Sequence, residues 1–387
     1  MPLPCWHPRK PVRPRGPRHR GRVEKGRGCL PETIGEIMTQ DKNRLKAAVI
    51  GLGFIGAGDQ VSGDAIGQQV ADLDGTHSVA LASHRQVRLV TGSSREEGRR
   101  RRFEERHQIQ KTYADWREML ATEKLDIVNI ATNSPFHADI TVACAEAGVR
   151  AVLCEKPLAT RLTDADRAIR ACHERGTILA VNHSRRWSPL WRAARDEIQN
   201  GTIGTPIHAE GHWPTGRIGN VGTHVFDALR LMLDAKPTGV SGVLDPVVNK
   251  DCRGAQFRDP GGWGVVSFSN GVKAFIHAPQ VGSIPLAVRV VGNRGQITVR
   301  GGAARVELWS GETRTVTPPP DTGTSLDRAV AELVDCLTRG SQPCSTGEDG
   351  LSALEIIIGF HISDRQRGQW VSLPISGADR NFEVPIG

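Results

Sequence analysis

Lys46-Ala47-Ala48-Val49-Ile50-Gly51-Leu52-Gly53-Phe54-Ile55-Gly56 is a short apolar run that ends in three glycines with the spacing Gly-x-Gly-x-x-Gly. The run has the length of a buried strand, and the glycines divide three tasks. Gly51 makes a tight turn, Gly53 lets the backbone approach a pyrophosphate, and Gly56 lets the next helix pack closely on the strand. Gly51, Gly53, Phe54, Ile55 and Gly56 are therefore candidate dinucleotide-binding residues. Outward from this turn, short apolar runs alternate with helical segments from Leu45 to about Asn182, the pattern of a parallel sheet covered on both faces. Strands are predicted at 46–50, 87–91, 126–131, 151–155 and 177–182. A helix is predicted from a cap at Thr163 to Arg175, with Asp166 three residues into it and Gly176 as its stop.

Beyond about residue 205 the period changes to two. Gly264–Phe268 and Val272–Ile276 flank Asn270-Gly271, Val288–Val291 and Gln296–Val299 flank Asn293-Arg294-Gly295, and Val306–Trp309 leads to a turn at Gly311. These signals predict an antiparallel meander. Helices follow at Ser325–Thr338 and about 349–366, so the second half reads as a sheet with helices on one face.

The chain has 387 residues and a formal net charge of +8. Residues 1–44 hold eleven Lys/Arg against four Asp/Glu, which is +7 of that total. Residues 1–43 are expected to be a disordered basic tail, rich in Pro, Gly and Arg and without apolar periodicity. Met38, just before the first strand, suggests that residues 1–37 derive from an upstream start. Without interleaved aromatics the tail carries only non-specific attraction for nucleic acid. No stretch approaches the roughly eighteen apolar residues of a membrane span, and the eight cysteines contain no Cys-x-x-Cys pair. A soluble, cytoplasmic protein is expected, with no metal. Residues about 57–74 lengthen the interval after the glycine turn. Their aspartates, 59, 64, 72 and 74, fit no calcium loop, so the segment reads as a solvated insertion and a candidate lid.

The second strand runs into Gly92-Ser93-Ser94-Arg95, where an acid that reads ribose hydroxyls would ordinarily stand. A small hydroxyl followed by a guanidinium suits a 2′-phosphate better, so Ser94 and Arg95 favour NADP over NAD, with NAD still possible. The basic run Arg99–Arg102 reads as a solvated helix face. Ala151-Val152-Leu153-Cys154 closes on Glu155-Lys156-Pro157. Pro157 restricts the backbone of Lys156, aiming its amine from a strand end. Acid–base work requires its pKa to fall from about 10.4 toward 7–8, which partial burial beside a cofactor supplies.

The glycine turn, the Glu155-Lys156-Pro157 element and Gly219-Asn220-Val221-Gly222-Thr223-His224 leading into Val225-Phe226-Asp227 occur in that order. Together they resemble the glucose–fructose oxidoreductase / inositol dehydrogenase / rhizopine-catabolism family (Gfo/Idh/MocA), over about residues 45–374. The resemblance implies an α/β protein: a Rossmann doubly wound parallel sheet, placed at 44–165, and an α+β domain at 166–387 with a large open, mainly antiparallel sheet that often mediates oligomers. A homodimer or homotetramer is therefore expected. It further implies NAD(P)-dependent oxidation or reduction of sugars, inositols or related alcohols and ketones. Cofactor contacts are implied at Thr132, Asn133, His137, Glu155 and Arg186.

In that family the second motif commonly reads Asp-x-x-x-His, and here Asn220 stands at the aspartate position. Positions 220 and 224 share a face if both are helical, so Asn220 is expected to orient His224 without charging it. Lys156 is assigned as the acid/base, His224 as a hydrogen-bonding partner of the reacting oxygen and Asn220 as its orienting residue. The rival reading is a non-catalytic nucleotide sensor or regulator of the same fold, prompted by the loss of the aspartate. Of Trp187, Trp191, Trp213 and Trp263, one or two are expected near a sugar and the rest in core or interface.

Overall fold

Five strands of the first half form one parallel sheet in a computed structural model that describes residues 44–59, 75–248, 251, 253–282 and 284–387. The basic tail and residues 60–74 of the insertion lie outside the described residues. The strands are β1 (Leu45–Ile50), β2 (Val87–Ser93), β3 (Ile127–Ile130), β4 (Ala151–Cys154) and β5 (Ile178–Val181), in the order β2-β1-β3-β4-β5. The order reverses between β1 and β3, which opens a crevice beyond their carboxyl ends. Helices α1 (Phe54–Ala57), α2 (His77–Ser83), α3 (Glu97–His107), α4 (Trp116–Thr122), α5 (His137–Glu146) and α6 (Leu162–Arg175) alternate with the strands.

Every residue of β3 and β4 is buried because helices cover both faces. Met119, Ile140, Cys144, Leu162 and Ile169 fill one side with Val128, Ile130 and Val152. Gly176, in the left-handed region at φ 68°, stops α6 as expected. The cap differs: α6 begins one residue before Thr163, its N-cap is Arg161, and the Thr163 hydroxyl instead donates to Asn381 Oδ1 at 3.1 Å.

The second half contains α7 (Pro189–Gln199), β6 (Pro206–His212), α8 (Gly222–Leu233), β7 (Pro237–Leu244), β8 (Gly262–Phe268), β9 (Lys273–Ala278), β10 (Ala287–Gly292), β11 (Gly295–Arg300), β12 (Ala303–Leu308), β13 (Thr313–Val316), α9 (Ser325–Arg339), α10 (Gly347–Arg365) and β14 (Val371–Ser372). Nine strands make one sheet in the order β13-β12-β11-β10-β6-β9-β8-β7-β14. The expected continuous meander is thus interrupted. β6 enters between β9 and β10, antiparallel to β10 and parallel to β9. Each hairpin was a local signal, whereas the insertion of β6 is a long-range pairing that no turn announces.

Two helices also depart from the expected one-sided cover. α9 contributes Leu326, Ala329, Val330, Leu333 and Val334 to the apolar cluster of Ala47, Val49 and Leu153, so it covers the parallel sheet. α10 joins both sheets. A Cβ at its Gly350 would meet Val181 Cγ2 at 2.8 Å, and one at Gly359 would meet Val240 at 3.3 Å. The division placed between 165 and 166 falls inside α6, and β5 beyond it still pairs with β4. No helix among the described residues is long and apolar enough to cross a membrane.

Candidate active site

The glycine turn has the shape its spacing requires. Gly51 sits at φ 98°, and a Cβ there would lie 2.4 Å from the Ala131 carbonyl oxygen; one on Gly56 would lie 1.8 Å from the Gly51 oxygen. Gly53 is different, since the nearest obstacle to a Cβ is an Arg99 guanidinium nitrogen at 3.4 Å. An open backbone edge beside a cation fits the pyrophosphate of a dinucleotide. Thr132 borders this edge, its backbone nitrogen 2.9 Å from the Gly51 Cβ position.

At the end of β2, Arg95 is exposed and Ser94 half-buried, with the Ser94 hydroxyl accepting from the Glu96 N–H at 3.3 Å. The run Arg99–Arg102 is not the purely solvated face expected of it. Arg102 grips the buried Asp59 through two hydrogen bonds of 2.7 Å, Arg99 reaches the same carboxylate at 3.3 Å, and Arg100 donates to the Ser94 carbonyl at 2.7 Å. Asp59, at the entry to the insertion, is thereby tied to α3.

Glu155, Lys156 and Pro157 follow β4, and the Lys156–Pro157 peptide is cis. The Lys156 amine is partly buried and donates to the Asn220 carbonyl at 3.0 Å. Burial pulls its pKa down to about 8; Arg253 and Arg217 push the same way, against Glu155 and Asp259. Glu155 Oε1 accepts from His77 at 3.0 Å and from Asn182 at 2.6 Å, while Oε2 accepts from the Lys156 N–H at 3.2 Å. Burial opposes the Glu155 charge, but these donors and the lysine outweigh it and bring its pKa to about 2. His77 is held from behind by Asn129 at 3.0 Å. Glu155 therefore braces the lysine segment from the protein interior instead of facing a ligand.

His224 lies in the first turn of α8. Burial drives its pKa well below the usual imidazole range, and Lys156, Arg185 and His183 add to the effect. The ring is neutral, stands edge-on to His183 at 6.1 Å, and its Nδ1 has no hydrogen-bond partner among the described residues. The expected Asn220–His224 pair is not formed. Asn220 precedes α8, so the helical spacing does not apply, and its side-chain nitrogen donates to Asp259 Oδ2 at 3.0 Å.

Asp259 is the residue that sequence reasoning missed. Its carboxylate also accepts the N–H of Gly219 and of Asn220, each at 2.7 Å, fixing the loop whose carbonyl holds Lys156. Burial raises its pKa against the pull of these donors. A carboxylate thus stands close to the lysine even though position 220 is uncharged. Asp259-Pro260-Gly261-Gly262 reads in sequence only as a turn before β8, and nothing local links it to residue 220. The opposite side of the same loop is held by the Trp213 indole, which donates to the Gly216 carbonyl at 2.6 Å. Thr215, Gly216 and Arg217 there all have φ between 62° and 66°. Three consecutive left-handed residues are a strained arrangement that neighbours must hold in place.

Besides Glu155, two more of the expected cofactor contacts point elsewhere. His137 is buried, with Nδ1 2.7 Å from the Pro157 carbonyl and Nε2 2.9 Å from the Thr132 carbonyl, so it ties the β3 and β4 loops together. Arg186 chelates Asp227 at 2.8 and 2.9 Å and reaches Asp349 at 3.0 Å; Arg230, also 3.0 Å from Asp349, completes a cluster of two cations and two carboxylates with no charge to spare. Asn133 starts the short 3-10 turn Ser134–Phe136. Among the tryptophans, 187 and 213 are core, Trp263 is 58% exposed on β8, and Trp191 is buried against Arg185.

Residues 45–183 match the family described as oxidoreductase, NAD-binding Rossmann fold. The chain is 27% identical over 366 residues to D-apiose dehydrogenase of Paraburkholderia graminis, covering 87% of this chain and 91% of that one. It is 29% identical over 273 residues to 1,5-anhydro-D-fructose reductase of Ensifer adhaerens, 64% of this chain and 79% of the other. The fold is shared with aldose-aldose oxidoreductase from Caulobacter crescentus, solved with glycerol, at TM-score 0.71 and 21% identity over 85% of this chain and 100% of that one. With its glycine turn and its Glu-Lys-Pro strand end in these positions, the first half of the chain matches the NAD-binding domain of the Gfo/Idh/MocA oxidoreductases, and the whole chain is similar to sugar dehydrogenases and reductases.

Proposed function

We propose that the protein interconverts a carbohydrate-like alcohol and its ketone with NADP, and less readily NAD, using Lys156 as acid/base. The observation that carries this reading is the amine of Lys156, partly buried, held at 3.0 Å by the Asn220 carbonyl beside the neutral His224 and poised at about 8. A nicotinamide cofactor bound here would supply the hydride-transfer chemistry. Gly51, Gly53 and Gly56 form the edge that would hold the pyrophosphate, with Phe54 and Ile55 opening α1 behind it. Lys156 takes the hydroxyl proton in oxidation and returns it in reduction, worth about 10²–10⁴ in rate. His224 shares a hydrogen bond with the same oxygen. Asn220 acts through its backbone carbonyl, which aims the amine.

NADP is supported by Ser94 and the exposed Arg95. The named relatives are dehydrogenases and reductases of sugars, which favours an enzyme over a nucleotide sensor. A cytoplasmic homodimer or homotetramer completes the proposal; Trp263 and Phe275, on neighbouring strands β8 and β9, are 58% and 51% exposed and offer the sheet surface for it. Fluorescence titration with NADPH and NADH, followed by a screen of polyols and keto-sugars at the nicotinamide absorbance, tests the function. Tight nucleotide binding without turnover of any compound refutes it.

A further inference from the structure

We infer that the substrate is an anionic carbohydrate, a sugar acid or sugar phosphate, whose charged group seats against Arg185. This rests on the oxidoreductase reading above and adds the substrate class. Arg185 and Arg186 are neighbours in sequence with opposite surroundings. Arg186 is neutralised by Asp227 and Asp349, whereas Arg185 has no carboxylate within ion-pair distance among the described residues. Its Nε is buried without a hydrogen-bond partner, and its guanidinium stands 5.5 Å from the centre of the Trp191 ring. An unpaired, desolvated guanidinium is costly, and a bound anion offsets that cost.

The same side chain connects the reacting centre to a cavity. Arg185 lies close enough to His224 to depress its pKa, and burial has drawn its own down to about 10. It also lines a cavity of about 410 Å³ with Trp191, Arg300, Arg328, Ser184 and Ser325, and no carboxylate lines that wall. Arg328 is committed to Asp321 at 2.6 Å, which leaves Arg185 and the exposed Arg300 for a ligand. Ser325 begins α9, fifteen residues long, whose N-terminal partial charge is positive. The remaining cleft arginines, Arg217 and Arg253, already face Asp251 at 3.5 and 3.7 Å.

The test compares gluconate, glucuronate and glucose 6-phosphate with glucose and sorbitol, measuring kcat/KM with NADP at the nicotinamide absorbance. At least one anionic compound should exceed the neutral ones about tenfold or more. Arg185→Gln should lower the anionic-to-neutral ratio about tenfold to a hundredfold through KM, the range of one charge-assisted hydrogen-bonded pair, with Arg185→Lys intermediate. Whether the acids or the phosphate respond identifies the group. Equal or better use of neutral sugars, with the ratio unchanged in Arg185→Gln, overturns the inference and leaves the oxidoreductase standing. If none of the five compounds turns over, the oxidoreductase reading is judged by the wider polyol and keto-sugar screen. Calorimetry with the same three anions and NADP then decides: binding lost in Arg185→Gln supports the anion seat, and absence of binding overturns it.

Discussion

Replacing Asp259 by asparagine changes one atom in size and should disturb both stability and the pH response. In the native loop Oδ1 accepts the Gly219 N–H, and Oδ2 accepts the Asn220 N–H and side-chain amide, at 2.7 to 3.0 Å. An asparagine has one accepting oxygen. Placed at the Oδ2 position it keeps two bonds in neutral form and points its own N–H₂ at the Gly219 N–H, leaving that buried donor unsatisfied. Such a donor costs about 1–3 kcal/mol, and two bonds to a charged acceptor weaken as well, so a loss of about 2–4 kcal/mol is expected. That is a large fraction of the ~5–15 kcal/mol of a folded domain. The catalytic effect has a definite sign. Asp259 raises the Lys156 pKa, so removing its charge should move the midpoint of the pH profile below about 8. The slackened Asn220 carbonyl should also slow turnover at every pH. Urea denaturation gives the first effect, and the pH dependence of kcat/KM, followed by nicotinamide absorbance, gives the second. A variant with native stability and an unmoved midpoint would show that Asp259 neither fixes the loop nor acts on the lysine.

Other outcomes follow from the same geometry. Lys156→Ala should cut turnover at least about a hundredfold while nucleotide affinity, read by fluorescence, changes little; equal losses of both count against the acid/base role. In the wild type, oxidation needs the neutral amine and should rise as pH passes about 8, whereas reduction needs the ammonium and should fall through the same range. Arg95→Ser should reduce kcat/KM for NADP more than for NAD; parallel losses would remove Arg95 from cofactor choice. Glu155 has its folded-state pKa drawn from 4.5 to about 2, so it stabilises the fold above about pH 4.5, and this is lost as pH falls toward 2. The shift corresponds to about 3 kcal/mol at most. Acid denaturation of Glu155→Gln should accordingly show a shallower dependence over that range.

The parts of the molecule legible in its sequence are those set by neighbours along the chain. Strand β1 and its three glycines, the stop of α6 at Gly176 and the Asn270-Gly271 hairpin are short-range steric facts, and each is found where its residues placed it. The lysine after β4 and the histidine at the start of α8 were singled out by the resemblance of three ordered motifs to a known family, not by short-range sterics. Asp259 was not, because its role depends on a loop bringing it to Gly219 and Asn220, about forty residues away. The insertion of β6 between β9 and β10, and the transfer of α9 onto the parallel sheet, are likewise choices among apolar faces that look alike in one dimension. Arg185 and Arg186 make the contrast sharpest. Adjacent and chemically identical, they are not told apart by composition or periodicity, and only the packed structure gives one two carboxylates and the other none among the described residues, because charge is neutralised by proximity in space and not by position in the chain.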